Sequence, residues 1–304
     1  MIKAKKIYLI LFILMTACNS SSKKEFEKKS FSFQDVKGIK FIEVRRAFKN
    51  GIAFNEQGFQ QEPEWIVVFQ SDTTVKTYSP TRKKMIDFVI IHSHDAVYNF
   101  AREWFRVIKM NKDSLVFQRL QVNAKKVAKD IRSNVYMTFY SEDYVIKLKT
   151  TSQALQKPRP IDTAFVKQRA RLANQKPMDS STFFAARNPV EFTPKNNIVK
   201  IKKVSIIDKL ANKTASYDYL YPAYTVTIQP SYKNFAYTIS AIVDEKGKLF
   251  VYKFNAINEF KENRKKVLQG ILDVYISQSA SIKPGSTLGF PHATLIVLNL
   301  IGKE

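Results

Sequence analysis

The chain has 304 residues, with 50 Lys+Arg against 26 Asp+Glu for a formal charge of +24, and it is 45% hydrophobic and 13% aromatic. Eight glycines and eleven prolines exclude a collagen-like or low-complexity chain, and a single cysteine excludes an internal disulfide framework. The apolar content suffices for one large core or two smaller ones, and the cationic excess favours anionic surfaces such as phospholipid head groups, lipopolysaccharide phosphates or acidic wall polymers.

Lys3, Lys5 and Lys6 precede an apolar run from Ile7 to Met15, which is followed by Thr16, Ala17 and Cys18. This is the layout of a secretory signal peptide over residues 1–17. A helix of that run spans roughly 14 Å, about half of a hydrocarbon core, which argues against a permanent span. The tetrapeptide Met15-Thr16-Ala17-Cys18 resembles the lipobox of bacterial lipoproteins, with Met15 in place of the usual Leu. The resemblance implies cleavage before Cys18 and lipidation of its thiol, a membrane anchor that leaves no free thiol for catalysis. Asn19 rather than Asp after the cysteine favours the outer over the inner membrane.

Residues 18–37 run Asn19-Ser20-Ser21-Ser22-Lys23-Lys24-Glu25 and on through Lys28 and Lys29, with little to bury, and read as a flexible tether. Loss of Lys3, Lys5 and Lys6 lowers the charge from +24 to +21, spread as about +10 over 18–157, about +8 over 158–215 and about +3 over 216–304. No single tail carries it, and export argues against nucleic acid as the partner.

Residues 38–150 predict an antiparallel β-rich domain. Strands are expected at Ile39–Phe48, Glu64–Gln70, Thr73–Tyr78, Ile86–His92, Trp104–Met110 and Ser114–Val122, separated by turn chemistry such as Asn50-Gly51, Ser79-Pro80 and Asn111-Lys112-Asp113. The hairpin from Trp104 to Val122 resembles those of small lipocalin-like barrels; a sandwich or half-open sheet fits equally. Asn123–Ser133 predicts a short helix, Val135–Tyr140 a strand, and Glu142–Lys149 either.

Lys157-Pro158-Arg159-Pro160 breaks regular structure, so 151–197 reads as a linker holding one helix at Ile161–Gln175. Residues 198–304 predict a smaller α+β domain: strands at Ile198–Ile207, Tyr219–Ile228, Phe235–Val243 and Leu249–Phe254, then an amphipathic helix over Glu259–Ser277 with Val267, Ile271, Val274 and Tyr275 on one face, then a closing strand at Ala293–Ile301. This ββαβ-like order, with Tyr221-Pro222, Val243-Asp244-Glu245-Lys246-Gly247-Lys248-Leu249, Pro284-Gly285 and Gly289-Phe290-Pro291, resembles the C-terminal domain of TonB-like envelope proteins. The resemblance implies a last strand free to pair with a partner strand at a sheet edge. The proline-rich spacer and permanent membrane helix of the energy-transducing member are lacking, so energy coupling is not implied.

Few constellations could carry chemistry. His92 and His94 would share one face of a strand and could hold a zinc, with Asp95 or a distant carboxylate completing the set. His92-Ser93-His94-Asp95 resembles the metallo-β-lactamase motif, but Ala96 and Val97 follow and only His292 remains elsewhere, so that ligand set cannot be assembled; two histidines at a strand end is the plainer reading. Glu62-Pro63-Glu64 reads as a solvated loop rather than an acid/base pair, and there is no Gly-x-Ser-x-Gly elbow or phosphate-cradling glycine loop. Tyr217, Tyr219, Tyr221 and Tyr224 suit a half-buried strand, or else a ligand groove.

The expectation is thus an α+β envelope lipoprotein that binds or scaffolds, is not an enzyme and needs no cofactor, its partners being the membrane and envelope proteins or anionic polymers. The alternatives are a lipocalin-like carrier of an apolar ligand and a metal-dependent hydrolase using His92 and His94.

Overall fold

The computed structural model describes residues 30–80, 82–123, 126–127, 132–205, 207 and 215–304. Cys18 and the signal and tether calls up to residue 29 lie outside them. The fold is α+β, with a large antiparallel sheet in its N-terminal half.

That sheet is built from β1 (Lys40–Phe48), β2 (Ile66–Phe69), β3 (Thr74–Ser79), β4 (Lys84–Val89), β5 (Ile91–His94), β6 (Val97–Phe100), β7 (Glu103–Met110) and β8 (Ser114–Leu120). After a two-residue ribbon of β9 (Val122–Asn123) and β10 (Lys126–Val127), β11 (Val135–Ser141) returns between β8 and β1. Every neighbour pair is antiparallel. The sheet ends on β4 and β5, which only Ile90 separates, so its two outermost strands are halves of one bent strand. The order therefore runs round on itself into a nearly closed barrel.

Alternation explains what fills it. Phe41, Val67, Phe69, Phe100, Phe105, Phe117, Met137 and Phe139 point to one face and are buried. Their rings meet at centroid separations such as 4.5 Å for Phe100–Phe105 and 5.3 Å for Phe117–Phe139. A 3₁₀ turn, Phe33–Val36, stoppers one end: Phe33 stacks on Phe69 at 4.2 Å, its amide donates to Asp72 Oδ1 at 2.6 Å, and the Phe31 amide donates to the Tyr98 hydroxyl at 2.9 Å.

Several expectations need correction here. The expected Ile86–His92 strand is bent at Ile90, and β6 was missed because four residues, Val-Tyr-Asn-Phe, are too few to show a period. Within the expected Asn123–Ser133 helix, the described residues form part of the β9–β10 ribbon and a 3₁₀ turn at Arg132–Asn134; the others lie outside the described residues. Glu142–Lys147 resolves as a helix, α1, because Ser141 accepts a hydrogen bond from the Tyr144 amide at 3.2 Å.

The segment 151–197 carries α2 (Ser152–Gln156), α3 (Pro160–Gln175) and β12 (Glu191–Pro194). Far from being a bare connector, α3 is tied to the barrel through Asp162, which is fully buried at its first turn. Asp162 accepts from Arg45 of β1 at 2.6 and 2.9 Å, from the Ala53 amide at 2.7 Å and from the Arg159 amide at 2.7 Å. Burial pulls its carboxyl upward, but these bonds outweigh that and hold it below the usual aspartate value.

The second sheet takes β13 (Val199–Val204), β14 (Ala223–Ile228), β15 (Phe235–Val243), β16 (Leu249–Phe254) and β20 (Thr294–Gly302), in the order β13-β14-β20-β15-β16. Short strands β17 (Ala280–Lys283), β18 (Ser286–Thr287) and β19 (Phe290–Pro291) lie between; β17 pairs with β12. The expected strand Tyr219–Ile228 divides into one helical turn, α4 (Tyr217–Leu220), and β14. The last strand is not at an edge: β20 lies parallel to β14 on one side and antiparallel to β15 on the other. Its alternation, with Ile296, Leu298 and Leu300 buried and the residues between them half-buried, is that of a central strand.

One face of this sheet packs on α5 (Lys261–Ile271), a π turn (Leu272–Ile276) and α6 (Ser277–Ser279). Leu268, Ile271, Leu272 and Ile276 make that contact, whereas Val267 and Val274 of the expected apolar face are exposed. Ile271 and Tyr275 of the expected face do pack against the core, and sequence spacing alone did not choose between the two stripes. The opposite face meets α3 and the 52–54 segment through Ile242, Ala293, Val166, Ala173, Ala53 and Phe54, a third cluster that bridges the second sheet and the connection between β1 and β2.

Candidate functional site at the barrel mouth

The barrel interior changes character away from its stopper. Glu43 is opposite Phe139, Arg46 opposite Met137, Glu103 opposite Phe100 and Arg119 opposite Phe105, and cross-strand partners share a face. These four charged side chains therefore continue the aromatic face. Trp65, edge-on to Phe105 at 5.4 Å and to Phe100 at 6.3 Å, forms the boundary between apolar filling and polar mouth.

Each charge at the mouth is matched. Glu43 and Arg46 form a buried two-point pair at 2.8 and 2.6 Å, and Glu43 Oε2 also accepts from the Glu64 and Trp65 amides at 2.8 and 3.0 Å. The bulge at Val44 aligns this pair, because without the extra residue Arg46 would point outward. Burial disfavours the Arg46 charge, but Glu43, helped by Glu64 and Glu103, outweighs it and raises the guanidinium above its ordinary value. Arg119 grips Glu103 at 2.5 and 3.1 Å.

The mouth adjoins a half-open chamber of about 1010 Å³ lined in part by later segments of the chain. Its rim includes Phe59, Glu62 and Glu64 from the 55–64 segment, Arg187 from the segment after α3, Lys203 of β13, and Ser216, Asp218, Tyr219 and Tyr221 at α4. Gly58 lets the rim close against the following segment: a side chain there would meet the Ala185 backbone at 2.7 Å, and its φ of +91° is one that glycine adopts freely. Arg187 pairs with Glu62 at 2.6 Å and lies over the Tyr219 ring at 4.2 Å. The Gln60 amide donates to the Tyr219 hydroxyl at 3.2 Å, and burial raises that hydroxyl's pKa.

The sequence candidates fall elsewhere or change role. His92 and His94 are exposed on β5 with a bulge between them, which breaks the common face the zinc reading requires. His92 Nε2 is 2.9 Å from the Asp95 carbonyl, His94 Nδ1 is 3.0 Å from Ser93 Oγ, and no group of three metal-ligating side chains occurs among the described residues. His292 is fully buried between Thr287 Oγ1 at 3.2 Å and the Ala293 carbonyl at 3.1 Å, and burial lowers its pKa to about 4. It is a neutral core imidazole. The tyrosines divide: Tyr224 is core, its hydroxyl donating to the Val190 carbonyl at 2.6 Å, whereas Tyr219 and Tyr221 line the chamber. Glu62 and Glu64, expected in a solvated loop, form part of its rim.

Arg46, Glu103, Arg119 and Arg187 were not singled out from the sequence. The available signal was phase: Glu103, Phe105 and Val107, like Leu115, Phe117 and Arg119, place a charge on the same side as the core. No protein-family model matches the chain, and no curated protein matches it.

Proposed function

We propose that this protein is a cell-envelope lipoprotein that binds rather than catalyses, with the barrel mouth as its ligand site. One observation carries this reading: an otherwise filled barrel ends in a chamber of mixed polar and apolar lining whose paired charges are held in place before any ligand arrives. Arginines and carboxylates line the chamber together with Trp65, Tyr219 and Tyr221. Such walls suit a polar, extended ligand carrying both charges, such as a short peptide from another envelope component. Lipidated Cys18 and a tether to residue 37 would hold the site near the membrane, outer more than inner.

The carrier reading draws support from the circular strand order. The phenyl rings occupy the space an apolar guest would take, so the mouth favours a polar one. Strand pairing in the manner of TonB-like domains would fall to β13 or β16, the outer strands of the second sheet.

Titration of short mixed-charge peptides, followed by Trp65 emission in a Trp104→Phe background, tests the site. A saturable change that Arg187→Ala weakens about tenfold is expected; unchanged emission together with an unchanged melting temperature would remove the mouth as a binding site. Fatty-acid analogue labelling, lost in Cys18→Ala, tests the anchor, and a soluble, unlabelled wild-type protein would sink it.

A further inference from the structure

Beside the buried face of α5 runs a second, largely exposed apolar stripe that begins before the helix and continues into the π turn after it. Ile257, Phe260, Val267 and Val274 are 74, 52, 43 and 63% exposed, although Leu268, Ile271, Leu272 and Ile276 already supply the helix's buried face. Phe260 in the turn before α5, Val267 within it and Val274 in the π turn after it recur every seven residues, close to two helical turns, and so fall along one flank of the buried face. A helix on a globular surface ordinarily keeps that side polar.

Cations surround the stripe. Lys253, Lys261, Arg264, Lys265 and Lys266 stand against Glu259, Glu262 and Asp273 in this stretch, and the four lysines are exposed while Arg264 donates to the Tyr237 hydroxyl at 2.7 Å. Large apolar side chains interleaved with lysines are the composition of a helix lying in the plane of an anionic bilayer. The apolar groups enter the boundary between head groups and acyl chains, and the ammonium groups remain among the phosphates. A second copy of a chain with net charge +24 would be repelled from this stripe, whereas anionic lipid would be drawn to it.

We propose that the outer face of α5, with Ile257 and Phe260 at its leading end, docks on the surface of a bilayer containing anionic phospholipid. The docking uses residues 253–274 alone. It requires neither lipidation of Cys18 nor a ligand in the barrel mouth, so it can fail while those readings stand, and the reverse.

The full chain carrying Phe260→Trp is mixed with vesicles of phosphatidylcholine containing 30% phosphatidylglycerol, with or without brominated acyl chains. The chain without that change, holding Trp65 and Trp104, gives the background. The indole at 260 is expected to shift to the blue and to be quenched by brominated lipid, beyond background, on anionic but not on pure phosphatidylcholine vesicles. Lys261→Glu/Lys265→Glu/Lys266→Glu should raise the lipid concentration for half-maximal quenching at least tenfold, and Ile257→Ser with Phe260→Ser should weaken vesicle association by a similar factor. These side chains are exposed, so the variants retain the core. Quenching no greater than background, equal quenching on both vesicle types, or affinity unmoved by the lysine changes would each overturn the proposal; capture of the stripe by an acidic protein with no response to vesicles would do the same.

Discussion

The two ends of the barrel are built by the same strands on the same face, yet they are held together by different physics. On β7 the step from Phe105 to Glu103, on β8 from Phe117 to Arg119 and on β1 from Phe41 to Glu43 changes hydrocarbon to charge within two residues. At the stoppered end, burial of each phenyl ring contributes roughly 1.5–3 kcal/mol and no particular partner is required. At the mouth, stability depends on specific partners, and the Glu43–Arg46 pair remains favourable only while both members are present. The closed end can tolerate approximate fit but not lost volume; the mouth can tolerate lost volume but not a lost partner.

The comparison is sharpened first at the closed end. Phe117→Ala removes a fully buried ring that meets Phe69, Phe100, Phe105 and Phe139, and should cost about 3–5 kcal/mol in denaturant unfolding; Phe117→Leu should recover much of that. At the mouth, Glu43→Ala leaves Arg46 without its main counter-charge and two amides without an acceptor, and should cost about 3 kcal/mol. The informative measurement is the double-mutant cycle with Arg46→Ala. Coupling above about 1 kcal/mol is expected, and additive losses would erase the distinction between the two ends.

A third test lies outside the barrel. His292 titrates at about 6.5 when unfolded and about 4 when folded, so the unfolded chain takes up its proton first as the pH falls. Its contribution is constant above about pH 6.5, is lost as pH falls from there to about 4, and is flat below. The drop is about 3 kcal/mol, and His292→Gln should lack that slope. The smallest effect belongs to the rim: Arg187 and Glu62 are partly exposed, so Arg187→Ala should change stability by less than about 1 kcal/mol while altering the chamber.

Much of this fold was legible in the sequence. Period-two alternation marked most barrel strands, and Asn-Lys-Asp placed the β7–β8 turn, where Asn111 Oδ1 accepts from the Ser114 amide at 2.7 Å. Closure of the barrel was not legible, because it depends on a bend at Ile90 that leaves no compositional mark. The internal place of β20 was also hidden: a continuous apolar run is compatible with either an edge exposed for pairing or a strand flanked on both sides, and only the parallel register with β14 chooses. The mouth was hidden for a different reason. Arg46, Glu103, Arg119 and Arg187 lie far apart in the chain, and a lone charge in an alternating strand looks like a solvated residue until the face it shares is known.

The carboxylate of Asp162 joins residues 117 and 109 positions away, and those separations impose an order in time. Synthesis and export through a secretory signal both deliver the chain from its N-terminus, so every barrel strand through Ser141 is available to collapse before Asp162 emerges. The barrel is then the template, and the first turn of α3 is the latch that docks onto finished β1. A chain stopped before that latch would present Arg45 without its carboxylate partner on the barrel wall, a marker of incomplete assembly that vanishes once α3 docks.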